Sequence, residues 1–124
     1  MRLLFLFLLS SSLMAVGNFS AQPKGFSVKG DASKGKELFQ TNCALCHGSK
    51  GNGKGIGGES LTPKPANFTD AALMKTKSDW ELFSVIKDGG AKHGLSPSMA
   101  SYQSVFTEQN IKEIIQYIRT FAHP

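Results

Sequence analysis

The sequence contains little cysteine, and no stretch alternates between apolar and polar residues as a half-buried β-strand does. Its 124 residues include two cysteines, which excludes a secreted scaffold held by several disulfides and a zinc site built from four cysteines. Clustered basic residues of the kind that bind nucleic acid are also missing, because the lysines are scattered. One small domain remains, and its two cysteines act as a pair.

The composition is that of a folded and mildly basic domain. Apolar residues make up 40% of the chain, which is too many for a disordered chain, and the 13 glycines follow no collagen-like period. The chain has 14 Lys and Arg residues against 9 Asp and Glu residues, a net charge of +5.

The first 17 residues have the features of a secretory signal peptide. One positive charge precedes an apolar run at residues 3–9, and the small residues Ala15 and Gly17 end the segment. The alternative is an uncleaved membrane anchor, but serines interrupt an apolar run that falls short of the roughly 18 to 20 residues needed to span a bilayer. We expect an exported, periplasmic protein that is cleaved after Gly17, or as late as Ala21.

The rest of the chain divides into an N-terminal extension, residues 18–30, and a domain of residues 31–124. Helical signals dominate this domain and predict an all-α fold with about four helices. They are an N-cap at Asp31 for a helix to Asn42, a cap at Thr69 or Asp70, a Ser78 and Glu81 capping box for a helix over 79–88, and an N-cap at Thr107 before buried Ile111, Ile114, Ile115 and Ile118.

A long polar loop separates the first helix from the others. Residues 48–67 carry six glycines and two prolines, with Ile56, Leu61 and Ala66 as the only apolar anchors. A loop of this length in so small a domain indicates a function.

Residues 43–47 read Cys-Ala-Leu-Cys-His, the pattern of covalent haem c attachment. On a helical turn, positions i, i+3 and i+4 share one side, so Cys43, Cys46 and His47 can converge on one planar ligand. The two thiols would form thioethers with the haem, and His47 would bind its iron as the proximal ligand.

Three other chemistries compete for the same residues. A disulfide between Cys43 and Cys46 is compatible with export, and a thioredoxin-type pair uses the same spacing but needs strands. A zinc site needs further ligands, for which only His93 and His123 remain.

A haem iron bound by one histidine has a sixth position. Met99 lies in a turn-rich segment that can deliver a thioether, and His/Met is a common axial pair, although a loop methionine also serves as a gap-filler. His93 is the second candidate, with a solvated loop histidine as its alternative interpretation. His123 lies at the frayed C-terminus, and Met74 is expected in a core-facing turn.

The sequence resembles the small monohaem class I c-type cytochromes over about residues 30–121. The similarity lies in the run from Gly35 to His47, in Met99 and Tyr102, and in residues 114–118. It implies an all-α fold with one covalently bound haem c, in which the first and last helices cross closely.

The resemblance also implies specific contacts. Gly35 and Phe39 should meet the helix face that carries Ile114 and Tyr117. Members of this family use a proline carbonyl to accept the proton of the proximal imidazole, a role open to Pro63 or Pro65. The proline that often follows the axial methionine is replaced here by Ala100.

The function implied is one-electron transfer by a His/Met-ligated haem iron that cycles between Fe(II) and Fe(III). We expect a monomeric carrier, without catalytic activity or a small-molecule substrate, between membrane-bound or soluble redox proteins outside the cytoplasm. The alternatives are a haem sensor or peroxidase-like protein with an open sixth site, and a docked subunit of a larger oxidoreductase.

Two further groups of residues have expected roles. Apolar residues that could line the haem pocket, or simply pack the core, are Phe39, Phe68, Phe83, Ile86, Tyr102 and Ile114, whereas Trp80 is expected to pack. Lysines that could steer the protein to acidic surfaces, or simply be solvated, are Lys50, Lys54, Lys64 and Lys92.

Overall fold

The computed structural model describes residues 17–123, so the predicted signal peptide lies almost entirely outside the described residues. Five α-helices and two 3₁₀ turns occur in this part of the chain, and no strand does. They are α1 (Ala32–Asn42), α2 (Ala44–His47), α3 (Ala71–Lys75), α4 (Asp79–Asp88) and α5 (Glu108–Thr120), with 3₁₀ turns at Ile56–Gly58 and Ala91–His93. The all-α prediction is confirmed. The structure has one helix more than the predicted four, namely α2, which is a single turn. None of the described helices is both long and apolar enough to cross a bilayer.

Side-chain caps begin the helices at the predicted positions. The Asp31 carboxylate accepts a hydrogen bond from the Ser33 amide at 2.8 Å. Asp70, rather than Thr69, caps α3, and Ser78 with Glu81 forms the predicted capping box of α4. At the start of α5, the Thr107 hydroxyl accepts from the Asn110 amide, and the Thr107 amide donates to the side-chain oxygen of Asn110. These bonds satisfy amide groups that a helix N-terminus leaves without intrahelical partners.

Helices α1 and α5 make the most extensive helix–helix contact of the fold. A Cβ atom at Gly35 would overlap the backbone carbonyl of Glu113, so only glycine permits this approach. Phe39 is fully buried, and its ring centroid lies 5.4 Å from that of Tyr117. The crossing predicted from the family resemblance is confirmed.

The core fills the space between α1, α4 and α5. The predicted apolar face of α5 is buried, as is Met74 on α3. The guanidinium of Arg119 on α5 donates to the Asp79 carboxylate at 2.9 Å and to the carbonyls of Met74 at 2.9 Å and Lys77 at 2.6 Å. One side chain thus ties α3 and the start of α4 to α5.

The N-terminal extension packs on the surface of α4 and α5. The Trp80 indole donates to the Ser20 carbonyl at 2.9 Å, and Phe26 lies edge-on to Trp80 at 5.0 Å and to Phe83 at 5.2 Å. Gln109 of α5 donates to the Lys29 carbonyl at 3.0 Å. Trp80 therefore packs as expected, and the extension is part of the folded domain.

The close helix crossing predicts that Gly35→Ala destabilises the haem-loaded protein. Alanine would raise helix propensity by about 1 kcal/mol, but its methyl group would force α1 away from Glu113, at a cost of about 1–3 kcal/mol for overpacking. Thermal and denaturant unfolding of Gly35→Ala, beside Lys36→Ala on the exposed side of α1 as the control, measures the difference. A Gly35→Ala protein as stable as the control would contradict this account of the crossing.

Candidate functional site

The Cys-Ala-Leu-Cys-His motif continues directly from the end of α1. The amide of Cys43 donates to the Phe39 carbonyl at 2.8 Å, and the amide of His47 donates back to the Cys43 carbonyl at 2.9 Å. The motif therefore occupies a helical turn, as predicted. Since side chains at i, i+3 and i+4 share one side of such a turn, the motif presents Cys43, Cys46 and His47 together.

The His47 ring is oriented by a backbone carbonyl. Its Nδ1 lies 3.2 Å from the Ala66 carbonyl oxygen, which can only accept, so Nδ1 donates and the lone pair on Nε2 is available to a metal. The prediction that Pro63 or Pro65 supplies this carbonyl is wrong. The bend of the loop points the carbonyl of the residue after Pro65, Ala66, at the ring instead. Sequence signals locate the segment but do not distinguish its successive carbonyls.

The surroundings of His47 favour its neutral form. Burial lowers the pKa of His47, and the bond to Ala66 offsets only part of that shift. The Phe68 ring stacks on the imidazole, with centroids 4.6 Å apart and an interplanar angle of 20°. A neutral imidazole is the form that binds iron, so this environment suits a ligand.

The two cysteines are free thiols in a partly buried setting. Burial, with a smaller contribution from Cys46, raises the pKa of Cys43 to about 12. The thioredoxin-type alternative needs strands, and residues 17–123 form none. Between residues 17 and 123, no group of three or more His, Cys, Asp or Glu side chains is arranged to hold a metal ion.

The loop over residues 48–67 is held against α2 by its backbone. The amides of Gly53 and Gly55 donate to the carbonyls of His47 and Cys46 at 2.8 and 3.1 Å. The prediction that apolar side chains anchor the loop is wrong in part, since Ile56 is 75% exposed and Ala66 is also exposed. Backbone contact replaces them because glycines allow the loop to lie close to the helical turn.

Met99 is half-buried and packs against the core. Its carbonyl accepts from the Gly90 amide at 2.8 Å, and its amide donates to the Ser96 carbonyl at 3.2 Å. Three residues later, the Tyr102 hydroxyl donates to the Asn42 carbonyl at 3.1 Å, next to Cys43. The methionine segment is therefore tied to the residue that precedes the motif.

The two remaining histidines lie in different surroundings. His93 is buried, and its Nδ1 and Nε2 lie 2.7 Å from the Asn18 carbonyl and 3.0 Å from the Asp88 carboxylate. The expectation of a solvated loop histidine is wrong, because the N-terminal extension covers the ring. Both nitrogens are engaged, which leaves neither for a metal. His123 is exposed.

The expected pocket residues divide into two groups. The first group lies at the motif. Phe68 contacts the His47 ring. Tyr102 is close enough to Cys43 and Cys46 for these residues, together with burial, to raise its pKa. Those that are buried in the helix core are Phe39, Phe83, Ile86 and Ile114.

Comparison with known proteins identifies the family. Residues 32–122 match the family described as Cytochrome c. The chain belongs to the cytochrome c family. It is an electron-transfer haem protein and carries covalently bound haem c. The residues of the motif fit this group, because they offer two free thiols and a neutral, oriented imidazole.

The relatives are c-type cytochromes. The chain is 30% identical to cytochrome c-554(547) of Halothiobacillus neapolitanus over 93 residues, which cover 73% of this chain and 97% of that protein. The solved structure of the KustC0563 c-type cytochrome is 26% identical, covers 70% of this chain and 95% of its own, and superposes with a TM-score of 0.58. A chain of the Kuenenia stuttgartiensis reducing HAO-like protein complex Kustc0457/Kustc0458 shares the fold at 22% identity, with a TM-score of 0.58 and coverage of 77% and 44%.

The contact between the loop and the imidazole predicts a change in redox potential for Gly53→Ala. A Cβ at Gly53 would lie 2.6 Å from the Pro65 carbonyl and 3.3 Å from that of Ala66, so the methyl group displaces the acceptor of His47. In a haem protein with a histidine ligand, such a bond makes the imidazole a stronger donor and favours ferric iron, so its loss at His47 should raise the potential.

Gly25→Ala is the matched control. Gly53 has φ +78° and Gly25 has φ +80°, so both substitutions cost about 1–2 kcal/mol of left-handed strain. A Cβ at Gly25 meets nothing within 4 Å. Redox titration should show a rise for Gly53→Ala alone, and equal potentials would refute a role for the Ala66 carbonyl in tuning His47.

Proposed function

We propose that this cytochrome is a one-electron carrier whose haem is held by Cys43 and Cys46 and ligated by His47 and Met99. The observation that carries the proposal is the partly buried His47 ring, whose Nδ1 is held by the Ala66 carbonyl so that Nε2 is available. When bound, the haem supplies reversible one-electron chemistry at iron.

The protein residues hold and shield the redox centre in this proposal. Cys43 and Cys46 anchor the group by thioether bonds, and the Ala66 carbonyl keeps the imidazole of His47 in one tautomer. Phe68 covers one face of that ring and limits the access of water. Such fixed surroundings favour electron transfer because little needs to reorganise when the charge changes.

Met99 is the proposed sixth ligand because its competitors are less suitable. His93 uses both ring nitrogens in bonds to Asn18 and Asp88, and His123 is exposed beside the C-terminus. Met74 is 3% exposed and belongs to the core. Met99 has a partly buried thioether on a segment whose backbone is fixed by two hydrogen bonds.

Ligation by Met99 predicts a specific spectroscopic loss. The ferric protein should show the weak far-red charge-transfer band of a methionine sulfur on haem iron, and Met99→Leu should abolish it and lower the reduction potential. Met74→Leu is a volume-conserving control that should keep the band. A band that survives Met99→Leu, or is absent from the wild type, would refute methionine ligation.

The bonding of the His93 ring disfavours a peroxidase-like function. His93 is the histidine that could serve as an acid or base over an open sixth site, and its ring is already bonded to Asp88 and Asn18. We propose a role without catalytic activity.

A docked subunit is the second candidate. A chain of the same fold occurs in the reducing HAO-like protein complex described above. The electron-transfer chemistry would be the same, with a permanent rather than a transient partner. Gel filtration of the protein isolated from its native membranes and soluble fraction separates a monomeric carrier from a subunit of a stable complex.

We also propose export to the periplasm with removal of residues 1–17. A cut at this position retains residues 18–20, which contact His93 and Trp80 in the fold. A cut after Ala21 would delete these contacts. The mature chain then carries 13 − 9 = +4 before the haem propionates, since Arg2 is lost.

We propose that acidic surfaces of redox partners dock beside α2. Leu45 and Ile56 are 65% and 75% exposed, and with Lys50 and Lys54 they line a shallow cleft of about 530 Å³. Exposed apolar residues beside solvated lysines suit a transient partner with an apolar centre and an acidic rim. Lys92 contributes less, because it pairs with Asp88 at 3.7 Å.

This docking surface predicts charge-dependent electron transfer. Oxidation of the Fe(II) protein by ferricyanide, an anionic probe that is reduced to ferrocyanide, should slow several-fold in Lys50→Gln/Lys54→Gln and lose part of its salt dependence. The control Lys24→Gln/Lys29→Gln removes the same charge from the N-terminal extension. Equal rates for the two double variants, measured by stopped flow, would contradict the proposed surface.

A further inference from the structure

His93 is a buried histidine that the haem site does not use. Its side chain is 8% exposed and lies at the end of the 3₁₀ turn Ala91–His93. Nδ1 lies 2.7 Å from the Asn18 carbonyl oxygen, and Nε2 lies 3.0 Å from Oδ2 of Asp88. The ring thus bridges the N-terminal extension and the end of α4.

The number of protons on the ring follows from these partners. A backbone carbonyl only accepts hydrogen bonds, and so does an ionised carboxylate, whereas a neutral imidazole has one N–H group. Both bonds can form together only when His93 carries two ring protons. The Phe19 ring, stacked at 4.7 Å and 15°, offers a face that suits a cation.

The charged groups around the ring are few. Asp88 on α4 faces His93 directly, and its other oxygen, Oδ1, lies 3.7 Å from the Lys92 ammonium, which is 68% exposed. The extension contributes no ionisable side chain between residues 17 and 23, and neither does the segment at residues 94–98. Cleavage after Gly17, proposed above, makes the Asn18 nitrogen, which lies 2.9 Å from the His93 carbonyl oxygen, an α-amino group that is also charged. Asp88 is the anion that holds the imidazolium in place.

The same turn holds the backbone of Met99. The Asn18 amide donates to the His93 carbonyl at 2.9 Å, so the extension and the turn are joined in both directions. Gly90, which precedes the turn, accepts from the His93 amide at 3.0 Å and donates to the Met99 carbonyl at 2.8 Å. A displacement of His93 is thus transmitted to Met99 through one short turn.

We propose that His93, held as an imidazolium between Asp88 and the Asn18 carbonyl, is a positioning residue for Met99 that makes methionine ligation depend on the N-terminal extension and on pH. The inference rests on the proposed ligation by Met99. The clamp is complete when both ring nitrogens carry protons. Loss of one proton as the pH rises removes one of the two bonds and loosens the methionine segment.

The test is the far-red methionine band of the ferric haem protein across a pH series. The wild type should lose band intensity as the pH rises. His93→Gln should show at every pH the weaker band that the wild type has at high pH. His123→Gln, a change at an exposed histidine, should behave as the wild type.

A second variant keeps the test valid if His93→Gln does not fold. Asp88→Asn leaves an oxygen that accepts from Nε2 but removes the negative charge that favours the cation. Its band should therefore weaken at lower pH than that of the wild type. In the reduced, diamagnetic protein, ¹⁵N NMR should show protons on both His93 ring nitrogens at the acidic end of the range.

Three results would overturn the inference. The first is a wild-type band that is present but independent of pH, or unchanged in His93→Gln, which leaves methionine ligation intact. The second is a mature chain that begins at Gln22 by mass spectrometry and so lacks Asn18. The third is a wild type without the band at any pH, which refutes ligation by Met99 and this inference together, while NMR still reports the protons on His93.

Discussion

The contact of α1 with α5 at Gly35 is the constraint on which the rest of the structure depends. Helix α1 reaches the backbone of Glu113 because residue 35 has no side chain, and this approach buries Phe39 completely. The motif turn continues from the last residue of α1 without a linker, so the position of α1 also fixes Cys43 and the residues after it. A helix crossing far from the cofactor chemistry therefore sets where that chemistry takes place.

The long loop after the motif completes the surroundings of His47, which its composition alone does not predict. Its glycines let the backbone lie against α2, and its last residues bring the Ala66 carbonyl to His47 and the Phe68 ring onto the imidazole. Both contacts come from a segment about twenty residues further along the chain. The loop thus acts as the second half of the histidine site, while it exposes Ile56 and three lysines to solvent.

The N-terminal extension shapes the surroundings of His93. Asn18 and Phe19 enclose a histidine that would otherwise be solvated at the end of its turn, and Trp80 fixes the next residue of the extension. The proposed sixth ligand, Met99, shares a short backbone network with that histidine. In a domain of this size, even a segment without regular structure joins the backbone network that holds Met99.

The sequence by itself determined the helices and the cofactor motif. Caps at Asp31, Ser78 and Thr107 and the apolar face of α5 are local signals, because each involves neighbours within one or two helical turns. The attachment motif is local for the same reason, since Cys43, Cys46 and His47 share a single turn. The helix crossing could be anticipated only from the family resemblance, which gave Gly35 its partner on α5.

Only the tertiary structure decided which groups complete the site. The acceptor for His47 was expected at Pro63 or Pro65 and is Ala66, because the bend of the loop, and not its composition, aims one carbonyl at the ring. His93 was expected in solvent and is buried between Asn18 and Asp88, which are 75 and 5 residues away along the chain. Such contacts depend on how distant segments pack, and no local pattern of residues encodes them.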